Sequence, residues 1–291
     1  MLIMARTLDI SLLRAFVATA ETASMTAAAG ALHLTQGAIS QQVKRLEEAL
    51  DCSLFERSRR GLRLTSSGER LFGRARRLLA EHDEIWVEMA EGAAEGRVRL
   101  GVPDDLVSTY LVPVLKAYSE AFPRVEVSLV CGSSPELAAA LAAGQADLAL
   151  VEEQVGEATG ECLSVERLVW VSARGGVAPS RRPLPVSLAA DTCAFRPAVL
   201  EALREHDLRW RTVFEGSLAA TTATVQADLA VTAWLASIVP PGLDILPAGS
   251  GLPELPHYAI SLRLPPGGTG IAGMGLARCI RDGLMRRRQA P

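Results

Sequence analysis

Thr26-Ala27-Ala28-Ala29-Gly30-Ala31-Leu32-His33-Leu34-Thr35-Gln36-Gly37-Ala38-Ile39-Ser40-Gln41-Gln42-Val43-Lys44-Arg45-Leu46-Glu47 reads as two short helices with a break at His33-Leu34. Thr26 can cap the first, over Ala27 to Leu32. Thr35 can cap the second, which runs to about Leu50, because a threonine hydroxyl accepts an N–H that a helix start leaves without a partner. In the second helix Ile39, Val43, Leu46 and Leu50 fall at i, i+4, i+7 and i+11, one continuous stripe to bury. The other face carries Gln36, Ser40, Gln41, Lys44 and Arg45, side chains of the kind that read base edges or grip phosphates.

Working outward, Leu12, Leu13, Phe16 and Val17 have the spacing of an earlier helix face. After the two helices, Leu54 to Thr65 contains two extended pieces flanking a turn at Arg60-Gly61. With arginines at its tip, this looks like the β-wing of a winged helix. Ser66-Ser67-Gly68-Glu69 fits a capping box, with Ser66 as N-cap and Glu69 at N3. A long helix then runs to about Glu91. Phe72, Leu79 and Trp86 repeat every seven residues along it, and Leu71, Leu78 and Ile85 do the same beside them. At 1.5 Å per residue the rod is about 35–40 Å long, and its stripe predicts pairing with the same helix of a second copy.

Gly92-Ala93-Ala94-Glu95-Gly96 reads as a hinge. Beyond it the expected elements alternate: a strand at Val98 to Val102, a helix from about Thr109 to Ala121, a strand at Val125 to Val130, a helix at Pro135 to Ala143, and a strand at Asp147 to Val151. This alternation predicts an α/β sheet with mostly parallel strands. A repeat lies within it. Val125 to Ser133 ends in Gly-Ser and is followed, after a helix, by Gln145-Ala146-Asp147-Leu148-Ala149. Thr212 to Ser217 also ends in Gly-Ser and is followed by Gln226-Ala227-Asp228-Leu229-Ala230. Two similar lobes with a cleft between them are expected.

The chain has 291 residues, enough for two or more domains, and its net charge of −3 conceals an asymmetry. Residues 1–77 hold 12 Lys and Arg against 7 Asp and Glu, while the remainder holds 18 against 26. A basic head on an acidic body points to an anionic partner for the head alone. No apolar run is long enough to span a membrane, and Met1 to Ile10 does not read as a secretory signal. The five cysteines, Cys52, Cys131, Cys162, Cys193 and Cys279, are far apart without a CxxC pair. They are expected to be mostly small buried hydrophobes in a reducing cytoplasm.

The stretch from Met25 to Glu47, with Leu54-Phe55-Glu56-Arg57 and Leu62-Arg63-Leu64-Thr65-Ser66-Ser67-Gly68, resembles the helix-turn-helix signature of LysR-type transcriptional regulators. Gly37 stands where that family usually has proline, Gly30 where it has a longer helix former, and Met25 where it has phenylalanine. The resemblance implies a winged helix-turn-helix over residues 1–65, a linker and dimerisation helix over 66–92, and a two-lobed α/β effector domain like the periplasmic binding proteins over 97–291. Its first lobe would take about 97–167 with 267–291, and its second about 168–266. Thr26, Thr35, Gln36, Ser40, Gln41, Lys44, Arg45, Arg57, Arg59, Arg60 and Arg63 would face double-stranded DNA. Leu71, Phe72, Leu78, Leu79, Ile85 and Trp86 would form the dimer seam. Asp104, Asp105, Ser133, Ser134, Glu152, Phe195, Ser217 and Thr222 would line the cleft around a small-molecule effector.

The resemblance also implies a homodimer that pairs into a homotetramer, RNA polymerase as a further partner, a cytoplasmic location, and neither cofactor nor metal. Rival readings stay open. A constitutive DNA-binding regulator would carry a vestigial cleft. An enzyme would need a catalytic constellation, and His33, His82, His206 and His257 show no HExxH spacing, nor does a GxSxG or Walker loop occur.

Overall fold

The computed structural model describes residues 7–58, 61–90, 92–206 and 208–289, with the side chains of residues 57, 58, 61 and 287–289 left aside. Two compact units emerge. One contains the head and the long helix with residues 265–275, and the other runs from Glu95 to Leu264 and from Leu276 onward.

The head opens with α1 (Ile10–Thr22), α2 (Met25–Ala31) and α3 (Gln36–Leu50). Asp9 caps α1, and Thr35 caps α3 as expected, its hydroxyl accepting from the Ala38 N–H at 3.2 Å. The cap of α2 is Ser24, which accepts from Ala27, so Thr26 sits exposed in the first helical turn instead. Ser24 wins because its backbone is extended, as an N-cap requires. Ile39, Val43 and Leu46 of the α3 stripe are buried, and Leu50 is half-buried at its end. Leu46 and Leu50 pack with Leu12, Leu13, Phe16 and Val17 of α1 around Leu54. Ile39 and Val43 pack with Ala15 and Ala18 of α1 and Ala28 and Ala29 of α2, and the Phe16 and Phe55 rings meet at 5.4 Å. Each such large apolar side chain contributes roughly 1.5–3 kcal/mol on burial.

β1 (Phe55–Ser58) and β2 (Gly61–Leu64) pair antiparallel, with Ser58 opposite Gly61. Gly61 therefore lies on a strand, not in the turn as the sequence suggested. Arg59 and Arg60 lie outside the described residues. α4 (Ser66–Ala90) follows. Its start is capped by Thr65, not Ser66: the Thr65 hydroxyl accepts from Gly68 at 3.1 Å and donates to Ser53 O at 2.7 Å. This places Gly68 at N3 and moves Glu69 out of a capping box. Glycine is required there, because a Cβ would stand 2.2 Å from Leu54 O.

The second unit is built on β3 (Glu95–Pro103), β4 (Arg124–Gly132) and β5 (Leu148–Gln154), parallel in the order β4-β3-β5. β5 is buried without alternation over its first five residues, as a strand covered on both faces should be. Helical structure begins earlier than expected. α5 (Asp104–Leu106) passes through a π turn at Val107–Leu111 into α6 (Val112–Ala121). α7 (Ser134–Ala142) connects β4 to β5. The second lobe repeats the scheme with β7 (Leu184–Ala189), α8 (Arg196–Glu205), β8 (Trp210–Gly216), α9 (Leu218–Gln226) and β9 (Thr232–Leu235), where β7 and β8 are parallel.

Both QADLA aspartates fasten their lobe, on different partners. Asp147 accepts the Arg99 N–H and guanidinium, each at 2.7 Å. Asp228 accepts the N–H groups of Val177 and Ala178 at 3.0 and 2.9 Å.

β6 (Glu161–Ala173) is common to both lobes. Its first half pairs with β11 (His257–Arg263) and its second with β9 and β10 (Leu243–Ile245). β11 also pairs with β5, so it belongs to the first lobe's sheet, although the sequence reading placed 168–266 wholly in the second. α10 (Ile271–Gln289) ends the described chain, and Arg281 clamps Glu161 from it at 2.9–3.0 Å. None of the five cysteines forms a disulfide. None is buried, contrary to expectation: Cys131 and Cys162 are exposed and the others half-buried. Among the described residues, no helix is long and apolar enough to cross a membrane, and no group of His, Cys, Asp or Glu could hold a metal ion.

Candidate nucleic-acid face and effector cleft

On α3 the buried stripe turns the opposite residues outward. Gln36, Gln41, Lys44 and Arg45 are exposed and Ser40 is half-buried. Among the described residues Lys44 pairs with Glu48 alone, at 3.7 Å and with both side chains largely in solvent, which leaves its ammonium available to an anion. Arg45 acts on Asp9, helping Ser11 keep that carboxyl below the usual range. Arg63 is exposed on β2, whereas the Arg57 side chain lies outside the described residues.

The wing is positioned by a residue not singled out from the sequence. Glu47, late in α3, accepts the N–H groups of Leu54 and Phe55 at 2.7 and 3.3 Å. Thr65 closes the other root, its N–H bonding Leu54 O at 2.9 Å. Hydrogen bonds thus tie α3 and both roots of the wing together.

The six expected seam residues of α4 divide. Leu79 is buried in the head's core, and Leu71 and Phe72 pack against it. Leu78, Ile85 and Trp86 are 43, 60 and 55% exposed, and Met89 joins them at 74%.

In the second unit, the start of α5, the start of α7 and β5 bring Asp104, Asp105, Ser134 and Glu152 together. The Ser134 hydroxyl accepts the Glu152 N–H at 2.8 Å and lies 3.5 Å from Glu152 Oε2. Asp105 and Glu152 interact carboxyl to carboxyl. Burial pushes Asp105 up to about 6, and the Asp104 charge adds to this. Glu152 is raised well above its ordinary value by burial and by Asp105.

Phe195 is buried against Tyr258 in an edge-on contact at 4.9 Å, and the Tyr258 hydroxyl donates to Ala194 O at 2.9 Å. Cys193, beside them, is pushed up by burial and by Glu152 and Asp105, against the N–H groups of Phe195 and Arg196. A cavity of about 20 Å³, bounded by Cys193, Phe195, Arg196 and Thr232 among others, adjoins this segment.

The remaining expected cleft residues are occupied locally. Ser133 donates its hydroxyl and N–H to Glu136 at 2.7 and 2.9 Å. Ser217 caps α9, and the Thr222 hydroxyl is spent on Leu218 O at 2.8 Å within the same helix. Sequence reading missed Cys193 and Tyr258, which carry no local signal. It also missed a tie at the strand shared by the lobes, where the Tyr110 hydroxyl meets Ser237 at 2.8 Å and Glu166 at 3.2 Å.

Residues 10–69 match the family described as bacterial regulatory helix-turn-helix protein, lysR family, and residues 91–263 match the LysR substrate binding domain. The chain is similar to the HTH-type transcriptional regulator DgdR of Burkholderia cepacia, 35% identical over 259 residues, which span 89% of this chain and 88% of the relative. PecT of Dickeya dadantii, another HTH-type transcriptional regulator, is 29% identical over 250 residues, spanning 86% and 79%. Among solved structures, HinK, a LysR family transcriptional regulator from Pseudomonas aeruginosa, has a TM-score of 0.51 at 21% identity over 96% of this chain and 99% of its own. Full-length BenM has 0.50 at 20% identity over 97% and 98%.

Proposed function

This chain belongs to the LysR family of bacterial helix-turn-helix regulators, and from that membership we propose how its residues divide the work. It is a DNA-binding transcriptional regulator with a ligand-binding domain. In our reading α3 enters the major groove, with Gln36, Ser40, Gln41 and Lys44 toward base edges. Thr26, Thr35, Arg45 and the wing residues Arg57, Arg59, Arg60 and Arg63 hold phosphates, and so set register rather than sequence. Leu78, Ile85, Trp86 and Met89 of α4 join two copies, and dimers pair into tetramers on DNA. The protein regulates rather than catalyses, works in the cytoplasm, and has RNA polymerase as a further partner. A small molecule seated at Asp105, Ser134, Glu152 and Phe195 biases the relation of the two lobes.

The observation that carries the reading is the outward polar face of α3, locked to the wing through Glu47. Fluorescence anisotropy on an operator fragment tests it. Lys44→Ala should weaken binding across sequences and lower the salt slope by about 1. Gln41→Ala should relax discrimination at one position by about 1–3 kcal/mol. Unchanged affinity and selectivity in both variants would refute the assigned face.

A further inference from the structure

Three carboxyl groups step inward from solvent at the cleft: Asp104 is exposed, Asp105 half-buried, and Glu152 only 6% exposed. Ser134 serves one oxygen of Glu152 and Asp105 meets the same carboxyl, but the other oxygen, Oε1, is fully enclosed and has no geometric hydrogen-bond partner among the described residues. An acceptor left without a donor at such depth demands an explanation, since buried polar atoms are nearly always satisfied. No basic side chain pairs with Asp105 or Glu152 among the described residues. Arg196, close by in sequence to the cleft segment, is already held by Asp191 at 3.0 Å and Glu215 at 2.7 Å.

The missing partner is therefore a donor from outside, and the charge that suits two adjoining carboxyls is positive. A metal ion does not fit, because no group of three His, Cys, Asp or Glu among the described residues could hold one. The neighbouring surface is aromatic instead. Tyr258 stands edge-on to Phe195 at 4.9 Å, and burial raises its hydroxyl, with Cys193 and then Glu152 adding to the rise. The π turn that follows α5 is the kind of helix irregularity often found at binding sites.

We propose that the effector of this regulator is an organic cation. Its primary ammonium group donates to Glu152 and Asp105, and its short apolar body lies against Phe195 and Tyr258. This rests on the reading of the cleft as the effector site and narrows it to a ligand class. Burial holds the Glu152 proton well above the ordinary carboxyl range, so an ammonium ion that pairs with Glu152 displaces a proton to solvent.

The test uses the full-length protein in thermal-shift measurements with propylammonium, 1-propanol and butyrate against matched sodium chloride. Propylammonium should raise Tm saturably while the alcohol and the carboxylate do not. Glu152→Gln should abolish the rise and Asp105→Asn should reduce it, and both variants should keep a native melting transition. Calorimetry in buffers of different ionisation enthalpy should detect proton release in the wild type only. A missing propylammonium rise, an equal rise with butyrate or 1-propanol, or a propylammonium rise surviving both substitutions would overturn the ligand class. The cleft reading fails on a different result: a probe that stabilises the wild type, Glu152→Gln and Phe195→Ala equally is bound elsewhere.

Discussion

Glu47 Oε1 accepts the backbone N–H of Leu54 at 2.7 Å, fastening the end of α3 to the residue from which the wing departs. Leu54 is fully buried, so water cannot replace that bond. Placement of β1 at the root of the wing thus depends on a carboxylate from α3.

Glu47→Ala should destabilise the head by about 1–3 kcal/mol, the cost of leaving an enclosed N–H unmade. It should also weaken operator binding by loosening the wing. Urea titration of the protein beside anisotropy on DNA checks both. Wild-type stability in Glu47→Ala would remove the clamp from the account.

On α4 the structure separates residues that heptad spacing had placed together. Leu78→Asp with Ile85→Asp should lower the assembled mass while the head stays folded, because both side chains are exposed. Leu79→Asp should unfold the head, because it puts a charge into the core. Light scattering and circular dichroism separate the outcomes. An unaltered mass in the double variant would move the seam elsewhere.

The Asp105–Glu152 pair makes a pH signature. Both carboxyls hold protons more tightly when folded than unfolded. Their contribution is therefore fully present below pH 4 or so and is lost as pH rises through about 6 and beyond. Asp104, Cys193 and the Ser134 hydroxyl face the pair, and of these the Asp104 charge adds to the loss. Glu152→Gln should flatten this slope, so its stability relative to wild type should improve between pH 5 and pH 8. Parallel denaturation curves at the two pH values would count against the pair.

Two glycines of the head make opposite predictions. A Cβ on Gly30 meets nothing within 4 Å, so Gly30→Ala should stabilise the head by about 0.5–1 kcal/mol through the helix backbone alone. A Cβ on Gly68 would collide with Leu54 O, so Gly68→Ala should destabilise it. Thermal melts of the two variants moving in the same direction would contradict this geometry.

Read along the chain, the α3 stripe, its Thr35 cap, the outward polar face, the strand-helix alternation of the first lobe and its echo at β8 and α9 were all legible. Each is written within fifteen or so neighbouring residues, where helix period and cap chemistry act directly. Other features came from residues far apart. Thr65 displaced Ser66 as the cap because its hydroxyl had a second partner in Ser53. The division of α4 between core and solvent depended on where α1 lies. β11 returned to the first lobe because its register is set against β5 and β6, more than eighty residues earlier. The carboxyl pair of Asp105 and Glu152, with Cys193 and Tyr258 around it, exists only where separate elements converge. Local hydrogen bonding and periodicity decide which segments are helices or strands. Burial and long-range pairing decide which side chains meet, and so which groups are left to greet a ligand.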